Sequence, residues 1–267
     1  MISMRKGFFG IYYKHQTVDG LVLATIVSTS NGEDMVQIIV NEKAYQIKDI
    51  SSVKASFEGI SYDIHQDDLE LVGKITYGPL LKTKKNVMSY FRFLPIECKH
   101  SIYSMYHSLN GEVLLNGKNI SFDNGNGYME GDRGRSFPSE YLWLNASSEE
   151  ASITLAIADI PLGLFHIKGI TCMIEHNGKE YRFGTYNFAK AKLISNEHII
   201  IKKGKYTLEV FPFPKKAHGL KAPVKGEMVR TIHECPSMEI RYTLKHKDDL
   251  ILDIIHPFAS YEYVFKE

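Results

Sequence analysis

The chain has no apolar run near the roughly 20 residues that a membrane-spanning helix requires, so no stable membrane insertion is expected. Its first residues, MISMRKGFFGIYYKHQ, hold no long apolar core of a secretory signal. Cysteine is scarce. Cys98, Cys172 and Cys235 are odd in number, widely spaced and never in a C-x-x-C pair. A disulfide framework and a cysteine zinc site are thus poorly served, and the expectation is reduced thiols in a cytoplasmic protein. Charge excess is lacking too: a net charge of +1 over 267 residues creates no polyanion-binding field, and no nucleic-acid partner is expected.

The usual catalytic signatures are also missing. There is no G-x-S-x-G elbow and no Walker loop. The G-x-G at Gly125–Gly127 lacks a following helix, which excludes a dinucleotide fingerprint. Acid–base chemistry or plain binding remains.

What is present is strand. Helical periodicity is nearly absent, and 16 Tyr and 14 Phe stand against a single Trp, a composition that favours strands. Hydrophobic content of 44% and charged content of 24% are those of an ordinary globule. Strand-like segments follow one another from Phe8 to Tyr77, broken at Asp19-Gly20 and Asn31-Gly32. A loop at 78–95, with two prolines and Lys82, Lys84 and Lys85, is too long for a hairpin and is placed over a barrel mouth. Beyond it, Asn110-Gly111, Asn116-Gly117 and Asn177-Gly178 read as hairpin turns. Leu193–Ile201 reads as one strand and 213–226 as a long exposed loop. No exact internal repeat is visible, but the strand count exceeds the eight or so of one barrel. The expected architecture is all-β, two antiparallel barrels or sandwiches in tandem, with residues 1–126 and 127–267 as the halves.

The stretch from Gly125 to Asn145, GNGYMEGDRGRSFPSEYLWLN, concentrates the chemistry. Side chains alternate along a strand. Tyr128, Glu130 and Asp132 therefore share one face, and Tyr141, Trp143 and Asn145 share one face of a second strand. Two acids, two phenols and an indole can line one cavity, or the segment can be a surface hairpin with a solvated charge run. Upstream, strand parity sends His100 and His107 to opposite faces, which argues against a paired-histidine metal site; no metal is expected. Glu97 enters the same strand after Pro95.

The stretch resembles the tocopherol cyclase family, whose motif runs roughly G-x-G-Y-x-E-x-x-W-G-x-S-F-P followed by W-x-W. The matching residues are Gly125, Gly127, Tyr128, Glu130, Gly134, Ser136, Phe137, Pro138 and Trp143. Arg133 stands where the family usually has Trp, and Leu144-Asn145-Ala146 replaces a more polar ending. The likeness extends to Phe93–His100, Ser104–His107 and Tyr12–Gln16. It implies tandem lipocalin-like (calycin-type) β-barrels around an apolar cavity, a fold shared with carotenoid hydratases and lipocalin-like Diels–Alderases. It also implies cofactor-free, acid-assisted cyclisation or isomerisation of a prenylated or polycyclic molecule. An alkene-protonating acid must be protonated at rest, which burial favours. Glu130 and Asp132 are the candidate acids. Glu97, His100, His107, Tyr128, Arg133, Tyr141, Trp143 and Asn145 are the candidate ligand contacts. A non-catalytic carrier and a double-bond hydratase share these requirements.

Overall fold

The structure is a computed structural model that describes residues 7–40, 43–162, 165–213, 218–224 and 227–265. Twenty strands and three short 3-10 turns fill the described residues, with no α-helix among them. Strands β1 (Phe8–Gln16), β2 (Val22–Ser30), β3 (Glu33–Val40), β4 (Lys43–Ile47), β5 (Val53–Ala55), β6 (Gly59–Gln66), β7 (Leu69–Tyr77), β8 (Cys98–Leu115), β9 (Lys118–Ser121) and β10 (Gly125–Gly134) form one antiparallel sheet. Strands β11 (Tyr141–Ala146), β12 (Ala151–Leu162), β13 (Phe165–His176), β14 (Lys179–Gly184), β15 (Lys190–Ile194), β16 (Ile199–Lys203), β17 (Tyr206–Phe213), β18 (His218–Val224), β19 (Glu227–His246) and β20 (Asp249–Tyr263) form the other.

The sheets repeat one topology. The first runs β4-β3-β2-β1-β10-β8-β7-β6-β5, and the second β14-β13-β12-β11-β20-β19-β17-β16-β15. In each, the first strand pairs with the last, so the ends of each half meet at the middle of its sheet. They differ in the extra strand: β9 follows β8, whereas β18 precedes its partner β19. Each half has its own apolar core, one around Ile38, Leu71, Ile75 and Leu109 and the other around Leu155, Ile174, Leu208 and Tyr242. A third cluster lies between them and includes Tyr12, Tyr128, Tyr141, Trp143 and Leu220.

Several expectations are corrected. Asn110-Gly111 is not a turn, because β8 runs straight through it. Gly111 has φ +125, and a Cβ there would sit 2.2 Å from the Lys74 carbonyl oxygen, so glycine serves close strand approach instead. Leu193–Ile201 is split into β15 and β16. The expected loop at 213–226 contains β18, whose Leu220 and Ala222 are buried between the halves; its residues 214–217 and 225–226 lie outside the described residues. Its apolar residues are too few to show a strand's alternation against four lysines. The chain crosses between sheets at 135–140, so β10, which a division at Asn126 assigns to the second half, completes the first sheet. No helix among the described residues is long and apolar enough to cross a membrane. All three cysteines are free.

Candidate active site between the two sheets

Glu130 sits at the middle of β10, opposite Tyr12 on β1 and Ile102 on β8. Its counterpart in the repeated topology is Glu262 on β20, opposite Trp143 on β11 and Glu234 on β19. The inner aromatics cross over between the halves. Trp143 Nε1 donates to Glu130 Oε2 at 3.0 Å, while Tyr12 donates its hydroxyl to Glu234 Oε1 at 2.5 Å. The two rings pack edge to face, 5.4 Å between centroids. Each glutamate also has one phenol donor: Tyr128 for Glu130, Tyr12 for Glu234 and Tyr141 for Glu262. All three carboxyls are buried.

Apart from Tyr128, these groups line a cavity of about 190 Å³ between the sheets. Its walls are otherwise largely apolar, from Phe8, Ile26, Phe137, Ala156, Ala158 and Leu220. The loop at 78–95 contributes Met88 and Phe91 to the lining. Gly10 faces Asp132 across β1 and β10, which leaves room beside that carboxyl.

His100 joins two acids. Its Nδ1 lies 3.0 Å from Asp132 Oδ1 and its Nε2 lies 3.4 Å from Glu130 Oε2. The Cys98 thiol donates to the same Asp132 oxygen at 3.6 Å. Burial opposes a charge on His100, but Glu130 and Asp132 outweigh it and raise the imidazole to about 9. Burial raises Glu130 to about 7 against the pull of His100, Tyr128 and Trp143, with Asp132 reinforcing the rise. Glu234 is likewise raised by burial to about 7, opposed by Tyr12 and Lys14. Burial and then Glu234 push Glu262 well above the usual carboxylate range. Lys14, buried with Nζ on the Phe258 carbonyl oxygen at 2.7 Å, is pulled down to about 7. The three carboxyls and His100 thus hold protons that open solvent would remove, whereas Lys14 holds its proton less tightly than in solvent.

His100, Glu130 and Asp132 also bring their ligand atoms within 4.8 Å of one another, the one such group among the described residues. They are the residues that could hold a metal ion. Here His100 hydrogen-bonds Asp132 through Nδ1, while its Nε2 lies at ion-pair distance from Glu130 without a hydrogen bond.

Of the sequence candidates, Glu97, His100, Glu130, Asp132, Tyr141 and Trp143 line this cavity, with Glu97 exposed at its edge. Tyr128 lies just behind, donating to Glu130 at 2.5 Å, with the Thr154 hydroxyl 3.1 Å from its phenol oxygen. Arg133 is exposed and away from the cavity, as parity with Glu130 requires. His107 is buried in the first half, against Tyr77 and the Ser104 hydroxyl. Asn145 is buried outside the cavity lining, and neither amide atom has a hydrogen-bond partner among the described residues. Sequence reading missed Glu234 and Glu262. Glu262 lies in an aromatic run, Tyr261-Glu262-Tyr263, a weak sign of an inward acid; nothing near Glu234 sets it apart from the surface glutamates.

No family model matches the chain, and no curated protein matches it. Solved structures do. CghA with Sch210972 matches with a TM-score of 0.60 at 6% identity, over 96% of this chain and 88% of its own. Kievitone hydratase from Nectria haematococca matches at 0.55 and 11%, over 97% and 89%. An AttH-like protein from Nitrosomonas europaea matches at 0.54 and 10%, over 100% and 94%. The chain has a lipocalin-like fold. At such identities the likeness speaks to the fold alone. In this lipocalin-like frame the cavity between the halves is the feature the chemistry must be read from.

Proposed function

We propose that the protein binds an apolar, prenylated or polycyclic small molecule in the cavity between its halves and catalyses its acid-assisted cyclisation or isomerisation, in the manner the tocopherol cyclase resemblance implies. The observation that carries this reading is Glu130: a buried carboxyl on an apolar cavity wall, raised towards neutrality, with donors on one oxygen and His100 alongside. A group poised near the working pH both gives and takes a proton efficiently. Glu130 protonates the substrate alkene. The π pair forms the new C–H bond, the Glu130 O–H bond breaks, and the carboxylate is left beside the His100 imidazolium. Asp132 orients His100 through Nδ1. The faces of Tyr12 and Trp143 stabilise the cation, by about 0.5–2 kcal/mol each. A phenol oxygen of the substrate then bonds to the cation carbon, closing the ring, and its O–H proton is released to a base of the cavity. No cofactor is needed for this balance.

Hydration of an isolated double bond is the second reading, favoured by the fold shared with a kievitone hydratase; water then replaces the phenol oxygen. Incubation with prenylated phenols in D2O tests the reading. The expected result is a product carrying deuterium at the former alkene carbon, lost by about 100- to 10,000-fold in Glu130→Gln with ligand retention in native mass spectrometry unchanged. Retention of a prenylated phenol with neither product nor deuterium uptake would establish a carrier instead.

A further inference from the structure

Glu234 and Glu262 stand directly opposite each other on β19 and β20, facing the same cavity as Glu130 but from the other sheet. Side chains paired in this way across antiparallel strands lie about 5 Å apart at Cβ. Both are buried, at 1% and 7% exposure, where two bare carboxylates side by side would repel strongly. No cation among the described residues lies within ion-pair distance of either, although Lys14, whose Nζ donates to the Phe258 carbonyl oxygen, acts on Glu234 electrostatically. Each carries a phenol donor on one oxygen, Tyr12 on Glu234 Oε1 and Tyr141 on Glu262 Oε2, which leaves each a second oxygen for a proton. Two buried carboxyls that cannot both ionise hold one proton between them, and such a pair acts as acid and base alike.

We infer that Glu234 and Glu262 form a carboxyl dyad sharing one proton and are the second acid–base unit of this cavity, taking up the proton that the substrate's nucleophilic oxygen releases. The inference rests on the proposed cyclase-like reading and completes its proton balance. Glu130 gives a proton to the alkene carbon. The substrate's phenol oxygen bonds to the cation carbon, its O–H bond breaks, and that proton passes to Glu234 in the dyad. Glu130 ends ionised and the dyad doubly protonated. Water admitted on product release returns the proton from one wall to the other. The two walls therefore select substrates whose alkene and nucleophilic hydroxyl lie on opposite sides of the closing ring, a class that includes prenylated phenols. The other groups facing the dyad are Tyr12, Tyr141, Lys14, Glu130 and Asp132.

The test uses the full chain, prenylated phenols and D2O. Glu234→Gln removes the base but leaves the alkene-protonating acid. Cyclised product should fall by about 100-fold or more, while deuterium continues to enter recovered substrate as the cation forms and reverts. Glu234→Asp, which keeps a carboxyl, should recover part of the product rate. Glu130→Gln, in contrast, should lose product and deuterium uptake together. Native mass spectrometry and thermal unfolding confirm that each variant folds and retains ligand. Product formation in both Glu234→Gln and Glu262→Gln within a few-fold of the unmodified protein would overturn the dyad. So would loss of deuterium uptake in Glu234→Gln with ligand still bound. If the unmodified protein itself gives neither product nor deuterium uptake, the cyclase-like reading has failed, and the dyad's role with it.

Discussion

The Trp143 indole of the second sheet donates its N–H to the Glu130 carboxyl of the first, 3.0 Å away. This bond crosses the cavity wall and ties the halves together at the centre of each. Trp143→Phe keeps an aromatic ring and removes the donor. Where Glu130 holds its proton, below about pH 7, a hydrogen bond to the neutral carboxyl contributes about 0.5–1.5 kcal/mol, so chemical denaturation there should show a loss of that order. Because the indole favours the ionised carboxyl, its removal should also raise the pH at which Glu130 ionises. Carbonyl infrared difference spectra of the two proteins would show that shift.

His100 should make stability fall as solution becomes alkaline. Its folded-state value is about 9 against about 6.5 for a free imidazole. The folded state therefore holds its proton more tightly. The resulting stabilisation is complete below about pH 6.5 and disappears as pH rises through 9, a change of roughly 2–4 kcal/mol. Other groups titrate in this range, so the informative quantity is the difference in unfolding free energy between the protein and His100→Gln. That difference should shrink steadily from pH 6.5 to 9. A difference independent of pH would show that His100 is neutral in the fold.

Gly127 should tolerate no side chain while His107 is present. A Cβ there would lie 2.1 Å from His107 Nε2, so Gly127→Ala must displace a buried ring, at about 1–3 kcal/mol. Groups in contact do not add independently. In the background of His107→Ala, Gly127→Ala should therefore cost much less. Melting temperatures of the two single variants and the double variant measure the coupling.

Arg133→Ala should change little. The side chain is exposed on the sheet face opposite Glu130 and Asp132. Stability should move by less than about 0.5 kcal/mol, and retention of a prenylated phenol should be unchanged. A marked loss of either would place Arg133 in the site after all.

Local sequence determined much here. The alternation of Tyr128, Glu130 and Asp132, and of Tyr141 and Trp143, assigns faces wherever a strand forms, because the period of two is a property of the extended backbone. Asn177-Gly178 joins β13 to β14 because adjacent positive φ angles suit those residues. Cavity residues near in sequence, such as Glu130 and Trp143, were legible for that reason. The glycines of the motif were visible as letters only. Their purpose, close approach of β10 to His107, Tyr103 and the neighbouring backbone, belongs to strand pairing. Asn110-Gly111 carries the same local signal as a true turn and became strand interior, since pairing with β7 outweighs turn preference. What only tertiary structure decided is which distant acids share the cavity. Glu234 and Glu262 lie over a hundred residues from Glu130 along the sequence, and nothing local marks them. They meet it because each half closes first strand on last, and because the two sheets then bury these strands against each other, where desolvation turns ordinary glutamates into proton carriers.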